Sequence, residues 1–584
     1  MNANSYIAVI LPSDDLADSF EALFAAGEKA GLVPVLRRER LCVLARRNGA
    51  VRVICGPGGM PAGVTIGETF DCSSACAGTT TPGAQPPPDA RRGAALWGAY
   101  VAIEMKCETR SVDITRDPSG MAPCLFARQG GAVWVFSDMA TALSAGFKAP
   151  GVDWTGLAHY LAAPHFRGRR SCLAGVDMLT PGMRLRIAQD HPPFVECAWT
   201  PWDHAAAGKG TCDYEGAVHV LRDVAASCIG AWSARAGRVL LELSGGLDSA
   251  IIAACLRERG ADFSCVTFAS GDPAGDEREH ARRVASHLGV ALTEMRLDAG
   301  GAGFAPDPAR AGAYPGATPW GRVVDGAVSA AASEAGADAI FSGGGGDNVF
   351  CYLTTAAPAA DALRVFGPGR RYLETVGDLS KLHGASFWRA ARYSIRKAVL
   401  NNRKLFARSE AFLSAEAAAL CADPHPWFET IPRAIPPGRA EHAASLASAV
   451  SVSDGAERAF SSPLFYPLLS APLMELCLGT PSWMWVKGGR NRAAVRDAFA
   501  DALPCETLSR RTKGDLTGFI AETYRNKRAE IAGLLLEGRM ADNGVIGREA
   551  VEARLKSEAP FRDAGFTRLV WLAAAEAWIQ SWDG

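Results

Sequence analysis

The sequence predicts an α/β protein whose N-terminal part is rich in antiparallel strands and whose C-terminal part is built on a parallel sheet. Three observations support this prediction. Between residues 97 and 187, several short apolar runs of strand length lie close together, which is typical of antiparallel sheets. Between residues 214 and 341, runs of strand length alternate with segments of helical periodicity. Beyond about residue 355 the pattern is mainly helical to the end.

The length of the chain predicts two domains. Its 584 residues exceed what a single hydrophobic core normally serves. Residues 199–213 are polar and rich in Gly and Ala, and we place the boundary there. The predicted domains are therefore residues 1–205 and 206–584. Residues 77–92, rich in Thr, Pro, Gly and Arg, are predicted to form an exposed loop in the first domain.

Strands of the first domain are predicted where short apolar runs are bounded by polar turns. The Leu-Thr-Pro-Gly sequence at 179–182 is such a turn and precedes the last strand. The predicted strands are residues 6–11, 41–45, 51–55, 98–104, 111–115, 123–127, 132–137 and 183–187.

The second domain is predicted to begin with strands and helices in alternation. Such alternation is typical of a parallel sheet, because parallel strands must be joined by crossover segments, usually helices. The predicted helices are residues 214–235, 249–259, 276–288 and 323–335, and the predicted strands are residues 238–243, 263–270, 292–297 and 339–341.

Composition argues against nucleic acid and membrane as partners. Lys and Arg number 61 against 62 Asp and Glu, so no general attraction to anionic polymers is expected. The arginine-rich stretch 389–408 is interpreted as a solvated helix face. No apolar stretch approaches the ~18 residues that span a bilayer, and residues 1–20 do not resemble a signal peptide. The sixteen cysteines include no CxxC pair, so we predict no zinc site and a reducing, cytoplasmic location.

The first chemical motif is a Ser-Gly-Gly-Leu-Asp-Ser turn at residues 244–249, between a predicted strand and a predicted helix. Open parallel sheets bind ligands at the carboxyl ends of their strands. Gly245 and Gly246 let the backbone approach an anion, which the N–H groups of the following helix then face. Asp248 among phosphates requires a cation such as Mg²⁺ between them. The GxxxxGK[ST] spacing is absent, so this is not a Walker loop.

A second glycine-rich turn follows the strand predicted at residues 339–341. Four successive glycines, 343–346, let the backbone rather than side chains line a crevice. Asp347 follows them, and with Asp248 it would form a carboxylate pair able to hold Mg²⁺ against a triphosphate. The plainer interpretation is a flexible glycine loop whose aspartate caps a helix.

The first turn resembles the pyrophosphate-binding loop of the ATP-pyrophosphatase family, whose members transfer AMP rather than the γ-phosphoryl group. The second turn resembles the Ser-Gly-x-Gly-x-Asp turn of the asparagine synthetase family, and this resemblance covers nearly the whole chain. It implies a degenerate glutaminase-like (Ntn-type) α+β domain followed by an ATP-pyrophosphatase domain with a helical C-terminal part. It also implies ATP and Mg²⁺ as cofactors and a nucleotide site formed by Leu243, Ser244, Gly245, Gly246, Asp248, Ser249, Ser270, Ser342 and Gly343.

Three residues are the catalytic candidates. Asp248 and Asp347 would act as the metal ligands. Lys513 ends an Arg-Arg-Thr-Lys element. By the resemblance, it reaches the reaction centre, where it would stabilise charge on a tetrahedral intermediate or on the departing pyrophosphate. A lysine among arginines is otherwise a solvated surface residue.

The sequence departs from the glutamine-dependent members of that family in both domains. Asn2 stands where they carry a nucleophilic cysteine after the initiator methionine, so we expect the first domain to be inactive as a glutaminase. Gly344 and Asn348 stand where the family places glutamates, and Gly344 cannot replace the tyrosine of the β-lactam-forming branch. The general base is therefore open, with Glu457 and Tyr466 as candidates.

With these departures, the chain resembles the lasso-peptide macrolactam synthetases, a branch that keeps an inert N-terminal domain. The resemblance implies a leader-free ribosomal peptide whose Asp or Glu side chain is adenylated and then attacked by the peptide's N-terminal amine. The predicted partners are thus a precursor core peptide and a leader-peptide protease. The alternatives are a small-molecule amide or β-lactam-type synthetase, a glutaminase-less asparagine synthetase-like enzyme, and a non-catalytic protein that kept the fold.

Overall fold

A computed structural model of the chain contains two antiparallel sheets in its N-terminal part and one parallel sheet in its C-terminal part. The predicted fold class is confirmed, including the mainly helical C-terminal part. The structure describes residues 4–12, 20–56, 59–71, 96–106, 108–189, 191–207, 213–269, 271–307, 311–316, 318–400, 405–420, 425–452, 462–511, 514, 516–557 and 565–582.

The N-terminal part contains twelve strands in the described residues, which form two six-stranded sheets. Their bounds are β1 Tyr6–Ile10, β2 Leu32–Arg37, β3 Leu41–Arg46, β4 Val51–Cys55, β5 Pro61–Asp71, β6 Leu96–Lys106, β7 Ser111–Arg116, β8 Leu125–Gln129, β9 Ala132–Phe136, β10 Val176–Met178, β11 Met183–Ala188 and β12 Phe194–Cys197. The strand orders are β10-β8-β9-β1-β3-β2 and β12-β11-β7-β6-β5-β4.

The two sheets share a core because successive side chains of a strand point to opposite faces. In β1, Tyr6, Ala8 and Ile10 pack in one cluster with residues of the second sheet. The alternate residues Ile7 and Val9 pack with the helices that cover the first sheet. These helices are α1 Phe20–Lys29, α2 Met139–Ser144 and α3 Trp154–Ala162.

Strand β5 is absent from the predicted elements, because Gly63 and Gly67 interrupt its apolar run. These glycines are required by the neighbouring strand. A Cβ on Gly67 would lie 2.1 Å from the carbonyl oxygen of Ala99, and one on Gly63 would lie 2.3 Å from that of Ile103. Close backbone approach is a common reason for glycine inside a strand. The exposed loop predicted at 77–92 lies outside the described residues.

The parallel sheet contains β13 Val239–Glu242, β14 Phe263–Ala269, β15 Leu292–Arg296, β16 Ala339–Phe341 and β17 Leu464–Phe465, in the strand order β15-β14-β13-β16-β17. Successive strands therefore extend the sheet in one direction from β13 to β15 and in the other direction from β16 onwards. The strand order reverses between β13 and β16, which is where open α/β sheets bind ligands.

Helices cover both faces of the parallel sheet. Leu240 packs on one face with Val328 of the helix Pro319–Ala335, whereas Leu241 faces the larger core on the other side. The helices of this part are α4 Pro201–Ala207, α5 Tyr214–Ala236, α6 Leu247–Glu258, α7 Arg278–Leu288, α8 Pro319–Ala335, α9 Gly346–Val349, α10 Ala357–Phe366, α11 Arg370–His383, α12 Phe387–Leu400, α13 Ala415–Ala419, α14 Pro437–Val452, α15 Ala471–Gly479, α16 Ala493–Ala498, α17 Cys505–Ser509, α18 Thr517–Asn526, α19 Arg528–Leu536, α20 Arg539–Asp542, α21 Arg548–Lys556 and α22 Gly565–Gln580.

Aromatic side chains join the N-terminal sheets to the C-terminal part. The ring centroids of Phe70 and Trp232 lie 4.8 Å apart, and Trp97 stacks on Phe70 at 4.5 Å. The domain boundary at 205/206 stays a prediction, since it falls inside α4 and residues 208–212 are not described. None of the helices in the described ranges combines the length and the apolar character needed to cross a bilayer.

Candidate active site

The first predicted turn lies at the C-terminal edge of the parallel sheet, directly after β13. Gly245 has φ +69°, and a Cβ there would lie 2.4 Å from the backbone carbonyl carbon of His280, so only glycine fits. The hydroxyl oxygens of Ser244 and Ser249 lie 3.4 Å apart, and Ser244 Oγ accepts from the N–H of Gly246 at 3.3 Å. The two serines thus hold the turn closed on itself.

Helix α6 begins immediately after this turn. Its N-cap is Gly246, which makes no side-chain hydrogen bond to the helix. The first N–H groups of a helix have no partners within it, and the positive end of the helix dipole favours an anion in front of them. Residues 247–256 are buried, so neighbouring elements hold this helix on all sides. The position is therefore well suited to a phosphate group.

The second predicted turn follows β16 and lies directly against the first. A Cβ on Gly343 would lie 2.9 Å from the backbone nitrogen of Ser249, and one on Gly346 would lie 2.5 Å from Cγ of Asp248. Gly345 has φ +82°, in the left-handed region that favours glycine. Close contact between the two turns therefore explains why side chains are absent here.

Asp248 and Asp347 converge where the two turns meet, and an arginine that sequence reasoning missed lies between them. Arg492 Nη1 is 2.8 Å from Asp248 Oδ1 and 2.6 Å from Asp347 Oδ1. Arg492 is 8% exposed and has φ +55°, and its Nε is buried with no hydrogen-bond partner among the described residues. The two acids thus converge on one cationic point.

This acid pair has the donor chemistry of a magnesium site. Mg²⁺ in nucleotide sites takes one or two carboxylates together with phosphate oxygens and water. The guanidinium of Arg492 pairs with both acids, so it would compete with a metal for them. Groups of three or more His, Cys, Asp or Glu that could form a larger metal centre do not occur within the described ranges. The assignment of Asp248 and Asp347 as ligands stays a prediction.

The two turns open into a cleft of about 500 Å³. Its lining includes both polar and apolar side chains, which suits a ligand with an anionic part and a flat, weakly polar part. Gly245 lies behind the cleft, against α7. The predicted residues that line the cleft are Leu243, Ser244, Gly246, Asp248, Ser249, Ser342, Gly343 and Asp347. The apolar wall, which sequence reasoning missed, includes Val266, Phe268, Leu297, Val324 and Leu516.

Helix α16 and the chain that follows it give the cleft a cationic side. Arg510 Nη2 lies 2.8 Å from Glu277 Oε1, and the N–H of Gly514 donates to the same oxygen at 3.0 Å. Burial, and then the nearby guanidinium of Arg492, lower the pKa of Arg496 to about 10, so Arg496 stays charged at neutral pH. These arginines face the same space as the two turns.

Three predicted residues, Lys513, Ser270 and Glu457, lie outside the described residues. Their assigned roles stay predictions. Gly514, the residue after Lys513, lines the cleft.

Tyr466 lies against the second turn, beside Gly344. A Cβ on Gly344 would be 2.8 Å from Tyr466 Cε1, so the phenol ring fills the space that a side chain at residue 344 would need. Asn348 is held elsewhere, since its Nδ2 donates to the backbone oxygen of Ser445 at 2.8 Å. Tyr466 therefore remains a candidate general base, and Asn348 has a structural contact instead.

Comparison with known proteins gives one family match. The sequence profile of the asparagine synthase family matches residues 234–580. The comparison with curated proteins gives no match.

Two solved structures are similar over half of this chain. The glutamine phosphoribosylpyrophosphate amidotransferase from B. subtilis, complexed with ADP and GMP, is 11% identical over 50% of this chain and 81% of its own. A structure described as the allosteric regulatory enzyme of purine biosynthesis is 12% identical over 50% of this chain and 75% of its own. Both TM-scores are 0.19, which is too low to establish a common fold.

Proposed function

This chain belongs to the asparagine synthase family, and from that premise we propose that it closes a macrolactam ring in a ribosomal precursor peptide. The family consists of ATP-dependent, AMP-forming ligases, and this chain is one of them. The observation that carries the proposal is the contact between the two turns. This contact brings a helix N-terminus, two carboxylates and a cationic wall to one cleft.

In the first step, a side-chain carboxylate of the peptide attacks the α-phosphorus of ATP. The bond from that phosphorus to the bridging oxygen breaks, and pyrophosphate leaves with the bonding electrons. The N–H groups at the start of α6 and the guanidinium group of Arg510 would stabilise the charge on the departing pyrophosphate. Asp248 and Asp347 would hold Mg²⁺, whose positive charge would offset that of the triphosphate.

In the second step, the N-terminal amine of the same peptide attacks the activated carbonyl carbon. The new C–N bond forms, AMP leaves, and the amine loses a proton. We assign this proton to Tyr466, because its ring lies against the second turn where the β-lactam-forming branch carries a tyrosine. Holding amine and acyl group side by side makes ring closure a positioned intramolecular reaction.

A peptide rather than a small acid is supported by the second turn. Its glycines and Asp347-Asn348 resemble those of the lasso-peptide macrolactam synthetases. Gly344 has no side chain, and Asn348 is tied to Ser445. Neither residue is therefore available to recognise a small amino acid in the way that the family's glutamates would.

The direct test uses the full chain with ATP, Mg²⁺ and the leader-free core peptide of each short reading frame beside its gene. We expect AMP and pyrophosphate, together with a product lighter than the peptide by one water. Formation of ADP would contradict the adenylation step. Turnover of aspartate with ammonia, but of no peptide, would favour the glutaminase-less asparagine synthetase alternative. The Tyr466→Phe variant should form the adenylate normally but close the ring slowly, by about a hundredfold.

A further inference from the structure

A second concave surface lies beyond the cleft, between α11, α12 and residues 354–356. Its volume is about 620 Å³, which is in the range of ligand-binding cavities. We name it the basic groove, and its walls include Thr355, Arg389, Tyr393, Arg396, Lys397 and Leu400.

Most of the groove's charge comes from one face of α12. The residues of α12 that line the groove share one face of the helix, because they recur at intervals of three or four residues. They are residues 389, 393, 396, 397 and 400. Lys397 pairs with Glu441. Arg389 and Arg396 have no acidic partner in the part of the chain that the structure describes, so their positive charge is uncompensated. The guanidinium carbon of Arg389 lies 5.9 Å from the ring centroid of Tyr393.

The helices around the groove expose an unusual amount of apolar surface. Of the twelve large apolar side chains that are exposed among the described residues, nine lie between Tyr352 and Leu400. Trp388 is 79% exposed and Val399 is 73% exposed. Apolar side chains concentrated in this way on a surface mark a binding site for another molecule.

The groove is joined to the catalytic cleft by a short stretch of chain. From Asp347 the chain turns at Cys351, which has φ +53°, and the ring centroid of Tyr352 lies 5.4 Å from the guanidinium carbon of Arg492. The eight steps along the chain from Asp347 to Thr355 span at most about 28 Å even when fully extended. A peptide with one carboxylate in the cleft therefore needs only about eight extended residues to reach the groove.

We propose that the basic groove binds an anionic, aromatic-containing stretch of the peptide acceptor, a few residues away from the carboxylate that is activated. This inference rests on the proposed function for the identity of the substrate as a peptide. Arg389 and Arg396 pair with Asp, Glu or C-terminal carboxylates, and the half-exposed ring of Tyr393 stacks on an aromatic side chain. A lipid bilayer fits less well, because the cations line a concavity that a flat surface does not enter.

The test measures peptide binding apart from turnover. The probe is a fluorescein-labelled synthetic peptide of alternating Gly, Asp and Phe with a free C-terminus, and its counterpart carries Lys in place of Asp. Fluorescence anisotropy should show that the full chain binds the acidic probe and not the basic one. The double variant Arg389→Glu/Arg396→Glu should bind the acidic probe at least about tenfold more weakly. Arg392→Glu, on the same helix but outside the groove wall, should change binding by no more than about twofold.

Several outcomes would contradict the proposal that the basic groove binds an acidic peptide. Undiminished binding by the double variant would do so, as would equal weakening by Arg392→Glu. Binding to phosphatidylserine vesicles without binding to the acidic probe would show that the groove binds an anionic membrane surface and not a peptide. All variants should bind ATP as the wild type does, which shows that they fold.

The groove and the proposed function fail in different ways. If the acidic probe binds as expected but no core peptide is cyclised, acidic-peptide binding by the groove is supported and the proposed function is contradicted. If the double variant cyclises a core peptide with unchanged KM, the proposed function is supported and the role of the groove in binding the peptide is contradicted.

Discussion

The N-terminal sheets and the C-terminal cleft both bury arginines, and two of these arginines differ in an instructive way. Arg116 is 1% exposed, and each of its three nitrogens donates to a backbone carbonyl oxygen at 2.7 or 2.8 Å. Arg492 is 8% exposed, but one nitrogen carries both of its ion pairs and its Nε has no partner among the described residues.

This difference separates a structural role from a functional one. Burying a polar group without a partner costs about 1–3 kcal/mol, so most buried groups are fully paired. Arg116 meets that requirement and ties the turn after β7 to the sheet. Arg492 does not, and the cleft therefore keeps hydrogen-bonding capacity that a ligand can use.

The largest expected effect belongs to the acid pair of the cleft. Asp347→Ala should reduce pyrophosphate release by about a thousandfold, because it removes one of the two carboxylates predicted to hold the metal against the triphosphate. A pyrophosphate-coupled assay with a core peptide measures this loss. Glu334→Ala, which removes an exposed acid from α8, is the control and should keep full activity. Near-normal activity of Asp347→Ala would refute the metal assignment.

A smaller effect is expected where the two turns touch. Gly343→Ala places a Cβ 2.9 Å from the backbone of Ser249, so the turns must separate. We expect ATP affinity to fall about tenfold to a hundredfold, measured by calorimetry. Gly326→Ala is the matched control, since nothing lies within 4 Å of a Cβ there. That change should leave ATP affinity unaltered and stabilise α8 by about 0.5–1 kcal/mol. Equal effects of the two changes would show that contact between the turns is unimportant.

The third prediction concerns Arg492 itself. Arg492→Ala leaves Asp248 and Asp347 facing each other without a cation and should lower the free energy of unfolding by about 1–3 kcal/mol, after allowance for the exposure of Asp347. Added Mg²⁺ should restore much of this loss in the variant and have little effect on the wild type. Urea unfolding with and without Mg²⁺ measures both. The same response to Mg²⁺ in both proteins would mean that the guanidinium and the metal do not compete for the acids.

The last prediction concerns the N-terminal sheets, where the expected effect is confined to one range of pH. Burial raises the pKa of Asp117 to about 6, from the ordinary 3.8. The folded state therefore binds more protons than the unfolded state between these values. The contribution of Asp117 to stability is fully present below pH 3.8 and is lost as the pH rises through about 6.

The Asp117→Asn variant isolates this contribution. The stability of the wild type relative to the variant should fall by about 1–3 kcal/mol between about pH 4 and pH 7, measured by urea unfolding. ATP binding should be equal in the two proteins at each pH. A difference in stability that does not vary with pH would show that Asp117 keeps its ordinary pKa when folded.

Local patterns predicted much of the C-terminal part. The predicted strand at 339–341 matches β16, and the predicted helix at 214–235 differs from α5 by one residue. Both glycine-rich turns were expected at strand ends, and both lie there. A strand, a glycine turn and a helix are each specified by neighbouring residues, so their sequence signals survive without knowledge of the fold. Strand β5 was missed because its glycines are required by close approach of the neighbouring strand, which local sequence patterns do not reveal.

The position of Arg492 could not be predicted, because it comes from a segment 244 residues after Asp248 in the sequence. The same holds for Tyr466 beside Gly344 and for the apolar wall of the cleft, which several separate elements form. No periodicity or spacing in the sequence encodes such contacts. They depend on which strands become neighbours.

The sequence by itself determined the α/β class, the two glycine-rich turns and the acidic residue that follows each of them. Only the tertiary structure decided that β13 and β16 are adjacent, that their turns touch, and that an arginine lies between the acids. The reason is physical. Backbone propensity and side-chain periodicity act over a few residues, whereas strand order and side-chain contacts depend on how distant segments share one core.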